Sequence, residues 1–351
     1  MAVTRLPRLG LLLLACGTPL SVAAMTPAEW LIKASEAARA SNYQGTVIYR
    51  GDDLLETFRV THGYRDGQER ERVHSLTGEV REVLKHNDKV VCILPKEQRL
   101  TVDRPTPKDL FPGLNPERIA QLSALYEIRD LGQARVAGRS CRGIAVIPRD
   151  RFRYGYEVWA DERTAVPLKI SLMGRDHRLL EQMFFTEVAF PAVIPDAAFE
   201  SELDPAERRQ ATENAAPAIS AVAESVAASK ASVEQRRAPA NAPLQMGQMP
   251  PGFRVTMRKV RSLPDGSGLV EHVLLTDGLT AISVFRTHQR VPVENAFRGV
   301  SQLGAVHAYG RVVGRTHITV VGEAPQETVR MIGDSLPEAE LPVEPAATGA
   351  P

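Results

Sequence analysis

"RFRYGYEVW", residues 151–159, places four aromatic rings in nine residues of a chain whose Phe, Trp and Tyr together make up 5%. Read with a period of two, Phe152, Tyr154, Tyr156 and Val158 fall on one side of an extended strand, and Arg151, Arg153 and Glu157 on the other. One face is apolar and the other is wet. The rings either fill the core of a half-buried antiparallel strand, since aromatics suit a pleated surface, or form one wall of a ligand cavity.

The same period runs outward from this stretch. "YQGTVIYR" (43–50), "LLETFRVTH" (54–62), "EVREVLKH" (79–86), "KVVCILP" (89–95), "RLTVD" (99–103), "VPLKISLMG" (166–174) and "QMFFTEVAF" (182–190) alternate likewise, with turn signals such as "GDD", "RDG" and "HND" among them. A helix precedes them at "TPAEWLIKASEAARASN", with Thr26 as N-cap, Pro27 at the first helical position and Glu29 closing a capping box. A second, short helix begins at Pro116 with Asn115 as its cap. A sheet of this width curls, closes or splits. The expected fold is therefore mainly β, of α+β class: a large antiparallel half-barrel with a helical lid, followed by a smaller α+β domain. Phe58, Val60, Phe152, Tyr154, Leu168, Ile170, Leu172, Phe184 and Val188 are expected to line a common apolar hollow.

The chain divides by composition. Residues 1–24 carry Arg5 and Arg8, a leucine-rich run and small residues ending in Ala23 and Ala24, the pattern of a cleaved signal peptide. Leu13, Leu14, Ala15 and Cys16 also resemble a lipobox; Val22, Ala23 and Ala24, followed directly by a helix start, favour ordinary cleavage and an exported protein. The amino-terminal domain covers 25–201, an Ala/Ser/Pro-rich linker 202–246, the carboxy-terminal domain 247–335 and a tail 336–351. Once the signal is removed, Cys92 and Cys141 remain. They form a disulfide, as an even pair in an oxidising compartment suggests, or two buried thiols.

Lys plus Arg at 43 against Asp plus Glu at 42 leaves +1, which provides no excess positive charge for a nucleic acid. The eight histidines show no paired metal spacing, "GVSQLG" departs from the nucleophile elbow at Leu303, and no phosphate loop occurs. Neither enzyme chemistry nor a cofactor or metal is implied. The apolar concavity and the two-domain layout point to binding instead.

"NYQGTVIYR", "LETFRVTH", "REVLKHNDKVVCILP", "RFRYGYEVWAD", "TDGLTAISVF", "GAVHAYGR" and "TVVGEAP" followed by a short helix resemble, in this order, the MucB/RseB family of periplasmic regulators of the envelope-stress sigma factor. The resemblance implies a large domain like the periplasmic lipoprotein carriers, an unclosed barrel with helices over its mouth, and a smaller second domain. It implies binding to the periplasmic segment of a membrane-spanning anti-sigma factor of the RseA/MucA type, which is thereby shielded from regulated proteolysis and released by a lipid-like or lipopolysaccharide signal. The long Ala-rich linker departs from the pattern. Arg254, Arg258, Lys259, Arg261, Arg311 and Arg315 are the candidates for orienting an acidic or amphipathic partner stretch. A lipid or lipoprotein carrier is the alternative function, and a homo-oligomer is compatible with either.

Overall fold

The computed structural model of the chain describes residues 25–51, 54–78, 81–87, 89–93, 114, 116–201, 248–262, 268–289 and 296–338. Helix α1 (Pro27–Ala40) starts as its capping box dictates. The Thr26 hydroxyl accepts the Glu29 amide at 3.2 Å and the Glu29 carboxylate accepts the Thr26 amide at 2.8 Å. Trp30, Leu31, Ala34 and Ala38 recur three and four residues apart, so one stripe is buried.

Ten antiparallel strands follow: β1 (Tyr43–Gly51), β2 (Leu54–Arg65), β3 (Gln68–Ser75), β4 (Glu82–His86), β5 (Lys89–Ile93), β6 (Tyr126–Val136), β7 (Arg139–Pro148), β8 (Gly155–Asp161), β9 (Pro167–Met173) and β10 (Leu179–Ala189). Helix α2 (Pro116–Ser123) lies between β5 and β6. The sheet order is β5-β4-β3-β2-β1-β10-β9-β8-β7-β6. The first and last strands thus meet in the middle, and two meanders run outward from that joint. Helix α1 touches β2, β9 and β6, which stand fourth, seventh and tenth in this order. A flat sheet does not allow that; the sheet curls around the helix.

The joint imposes a local demand. A Cβ at Gly45 would collide with the Glu187 carbonyl and the Phe185 ring. The pairing skips a residue between Thr46 and Val47, where Phe185 and Glu187 are their partners, so Thr186 is an extra residue in β10. The bulge inverts the strand's parity. Val188, opposite Gly45, therefore faces the core, whereas Phe184, opposite Ile48 and Lys169, stands on the other face.

The core under the lid comprises Trp30, Leu31, Ile119, Leu122, Tyr126, Ile144, Val146 and Val158, and continues across the joint through Tyr43, Val47, Val60, Leu168 and Phe185. The second domain is a six-stranded antiparallel sheet with one helix: β11 (Arg254–Ser262), β12 (Gly268–Thr276), β13 (Ala281–Gln289), β14 (Gly299–Leu303), β15 (Val306–Val313), β16 (Thr316–Gly322) and α3 (Gln326–Ser335), in the order β11-β12-β13-β16-β15-β14. Val329 and Ile332 of α3 pack on Val273, Leu275, Ile282, Val284, Ile318 and Val320.

Three elements differ from the sequence expectation. β8 begins only at Gly155, so 151–153 form a bend. β6 and β14 escape periodicity because both are edge strands with few buried side chains to impose alternation. The proposed cap Asn115 and the segment 99–103 lie outside the described residues.

One buried electrostatic contact sets an acid limit. The Glu69 carboxylate faces His62 Nε2 at 3.3 Å and accepts from Lys85 at 2.9 Å, while His62 Nδ1 lies 2.8 Å from the Ser41 carbonyl. The His62 hydrogen bond chiefly, with help from Lys85, lowers the Glu69 pKa from 4.5 to about 2. A depressed carboxylate stabilises the fold fully above 4.5 and loses that contribution as pH falls towards 2. Glu69→Gln should therefore be destabilised at pH 7 by about 3 kcal/mol at most, and the gap to the unsubstituted chain should close on acidification, as followed by urea denaturation at each pH.

Candidate functional site

The bend 151–153 carries the feature that organises the molecule. Arg153, which alternation assigns to the wet face, is 0% exposed. Its Nε and Nη2 donate to the two oxygens of Asp150 at 3.0 Å each, its Nη2 also to the Pro251 carbonyl, and its Nη1 to Asp277 Oδ2 at 2.8 Å. The guanidinium also faces the rings of Tyr126 and Phe253. Asp150 and Tyr126 belong to the large domain, and Pro251, Phe253 and Asp277 to the small one. Arg153 therefore bridges the two.

Asp277 is buried too, and each of its oxygens has work. Oδ1 accepts the amides of Leu279 and Thr280, which closes the β12–β13 turn, and Oδ2 accepts both Arg153 and the Tyr126 hydroxyl at 2.8 Å. Burial first, and then the Asp277 charge, hold the Tyr126 phenol well above its ordinary pKa, so it stays a donor. The turn presses Leu279 onto the core of the large domain, and Gly278, at φ +110°, sits above Leu122. At Gly252, with φ +79°, a Cβ would strike Leu125 across the seam. Burying such ions costs several kcal/mol each and is offset only when geometry and hydrogen bonds are complete.

Further contacts extend the seam. The Thr328 hydroxyl of α3 donates to the Phe152 carbonyl at 2.8 Å, Tyr156 donates to Glu323 at 3.3 Å, and the Ala305 amide donates to Glu181 at 3.2 Å. His307 Nδ1 lies 2.9 Å from the Ala324 carbonyl and 3.3 Å from the Tyr154 hydroxyl. Burial, reinforced by Glu323 and Glu327, pushes the Tyr154 pKa up to about 12. Beside these residues opens a cleft of about 580 Å³, lined by Tyr154, His307, Pro325, Gln326, Glu327, Arg330 and Met331.

Both domains match described families: residues 26–203 the MucB/RseB N-terminal domain, and residues 238–337 the MucB/RseB C-terminal domain. The chain belongs to the MucB/RseB family. It is 31% identical over 339 residues to the sigma factor AlgU regulatory protein MucB of Pseudomonas aeruginosa, covering 93% of this chain and 97% of that one. It is 25% identical over 317 residues to the sigma-E factor regulatory protein RseB of Escherichia coli, covering 90% and 92%. Among solved structures, the complex of Pseudomonas aeruginosa MucA and MucB superimposes with a TM-score of 0.65 at 29% identity, over 89% of this chain and 99% of that one.

The family frame makes the placement of the expected site residues informative. Phe58, Val60, Leu168, Ile170 and Val188 do share the core side of the curled sheet, at the joint and under α1. Phe184 does not, because of the bulge at Thr186; Met183 and Phe185 take the core positions. Phe152 precedes β8, and Tyr154 and Leu172 pack with Ala305 of the small domain, so these three belong to the seam. Of the basic residues, Arg254, Lys259 and Arg315 are exposed, and the side chain of Arg261 lies outside the described part.

Two of these candidates, Arg258 and Arg311, are committed internally. Arg258 and Arg286 clamp the two oxygens of Glu271, a fully buried carboxylate of β12, and Arg311 donates to the Leu336 carbonyl at 2.6 Å, beyond the end of α3. They hold the small domain together rather than await a partner. Of the two readings of the cysteine pair, the structure supports the second at Cys141, a buried free thiol whose pKa burial chiefly raises to about 11. Cys92 lies on edge strand β5 and Cys141 on β7, at opposite ends of the sheet order, and the Cys92 side chain is outside the described residues. Sequence reasoning missed Arg153 and Asp277 as site residues, although both sit in quoted motifs. The only available signal was an arginine between aromatics.

Arg153→Ala leaves Asp277 buried without its cation and should cost about 3–5 kcal/mol. Calorimetry should then separate the melting of the two domains. An Arg153→Ala protein that melts as the unsubstituted chain does would remove the seam from its central place.

Proposed function

We propose that this chain is a periplasmic negative regulator of an envelope-stress sigma factor pathway. It binds the periplasmic segment of an RseA/MucA-like anti-sigma factor and shields it from regulated proteolysis, and a lipid-like or lipopolysaccharide ligand releases it. The single observation that carries this reading is the match to MucB/RseB relatives across both domains, one of them solved with MucA. The seam supports it physically: a buried ionic clamp fixes the domains so that the cleft beside Tyr154 and His307 presents surfaces of both to one partner. Tyr154, Pro325 and Met331 offer the apolar contacts that hold a partner side chain, and Arg330 with the exposed Arg254 and Lys259 supplies steering charge.

The lipid-like ligand belongs to the curled face lined by Phe58, Val60, Ile170 and Val188 under α1. The amino-terminal residues 1–24 direct export to the periplasm, and among the described residues no helix is long and apolar enough to cross a membrane. The alternative, a lipid or lipoprotein carrier, requires nothing of the small domain.

The deciding experiment mixes the full chain with the purified periplasmic segment of the anti-sigma factor and the protease that cleaves it. The chain should slow cleavage, Met331→Arg should weaken binding by about tenfold without unfolding the protein, and added lipopolysaccharide should restore cleavage. Ile170→Trp, which crowds the curled face at an overpacking cost of about 1–3 kcal/mol, should keep protection but lose the response to lipopolysaccharide. Lipid uptake with no effect on cleavage would establish the carrier instead.

A further inference from the structure

His62 of β2 is 1% exposed, and both of its ring nitrogens face acceptors. Nδ1 lies 2.8 Å from the Ser41 carbonyl, a group that only accepts. Nε2 lies 3.3 Å from Glu69 Oε1, and that carboxyl, its pKa lowered to about 2, is ionised at neutral pH and accepts as well. A neutral imidazole has one N–H and one lone pair. At this site it would turn the lone pair either on a backbone carbonyl or on a carboxylate.

The groups around the ring ask for the same charge. Glu71 of β3 stands opposite His62 in the register, Lys85 of β4 stands opposite Glu71, and Lys85 also donates to Glu69 at 2.9 Å. Two carboxylates against one ammonium leave one negative charge, which an imidazolium balances. Tyr43 of β1 stacks on the ring at 4.6 Å and brings none, and Arg39, in the last turn of α1, is exposed. What the ring holds is the end of a helix. Ser41 is the carboxy-terminal cap of α1, where helical carbonyls run out of partners. Its amide donates to the Ala37 carbonyl at 3.1 Å, the Tyr43 hydroxyl donates to the Ala38 carbonyl at 3.1 Å, and His62 takes the Ser41 carbonyl. A cation there also meets the negative end of the helix dipole.

We infer that His62 is a pH-sensitive latch on α1: with a proton on each nitrogen it ties the helix end to β3 through Ser41 and Glu69, and loss of the second proton releases it. A ring that gains two acceptors on folding stabilises the closed form fully below the histidine range, and that contribution is lost as pH rises through the range. The carboxy-terminal turn of α1 then loosens, while the capping box of Thr26 and Glu29 at its other end, which contains no histidine, keeps its hold. Because α1 packs over the core of the curled sheet, the latch sets how readily that face opens.

The test combines ring-nitrogen NMR of His62 with amide hydrogen exchange on the full chain at about pH 6 and about pH 9, on either side of the histidine range and corrected for the intrinsic pH dependence of exchange. Both ring nitrogens should carry a proton at the lower pH and only one at the higher. Exchange in the last turn of α1 and at Tyr43 should quicken by about tenfold between the two, as the loss of a charge-assisted hydrogen bond implies, while β7 keeps its protection. Glu69→Gln, whose amide can donate to a neutral ring, should move this step to lower pH. A ring with a single proton already at the lower pH would overturn the latch. So would a ring that titrates while α1 exchanges as before, an equal loss of protection in β7, or a Glu69→Gln chain whose step stays in place.

Discussion

The buried bridge from Arg153 to Asp277 is the constraint on which the rest of the molecule depends. A guanidinium with no exposure survives only because its donors are occupied and two aromatic rings cover it. Those partners come from both domains, so the bridge can be complete in one relative orientation alone. Generic apolar contact tolerates sliding; a fork of directed hydrogen bonds does not. The seam is thereby specified in angle as well as in affinity.

That specification reaches the cleft through short covalent paths. Phe152, whose carbonyl accepts Thr328, precedes Arg153, and Tyr154, which meets His307, follows it. Two residues further, Tyr156 lies at the edge of the lid core and reaches Glu323. Five consecutive positions thus connect the inside of the curled sheet with the first turn of α3. A displacement of Val158, which is in the same core, would travel along β8 to the clamp within a few residues, because packed strands shift as units rather than deform continuously.

Much of this was legible in the sequence. Alternation located most strands of the large sheet, the capping box located α1, and the breadth of the sheet required curling. What escaped had specific causes. The bulge at Thr186 inverts parity without any glycine or proline to announce it, which is why Phe184 was assigned to the wrong face. β14 has no buried side to impose a pattern. Arg153 sat at an outward position of a strand that in fact begins two residues later, at Gly155, and nothing in a period of two distinguishes a solvated arginine from a buried one. The internal use of Arg258 depends on Glu271, thirteen residues away on the neighbouring strand, a pairing fixed only by register.

The two kinds of buried charge also divide the labour between stability and coupling. Glu271, held between Arg258 and Arg286, lies wholly within the small sheet, so its pairing stabilises that domain whatever the large one does. Asp277 is held from outside by Arg153 and Tyr126, and the same carboxylate closes its own turn through Leu279 and Thr280. Separation of the domains would leave one oxygen occupied and one exposed to water, a state that costs the clamp but keeps the hairpin. That asymmetry separates the pairing that stabilises the small domain from the pairing that joins the two domains.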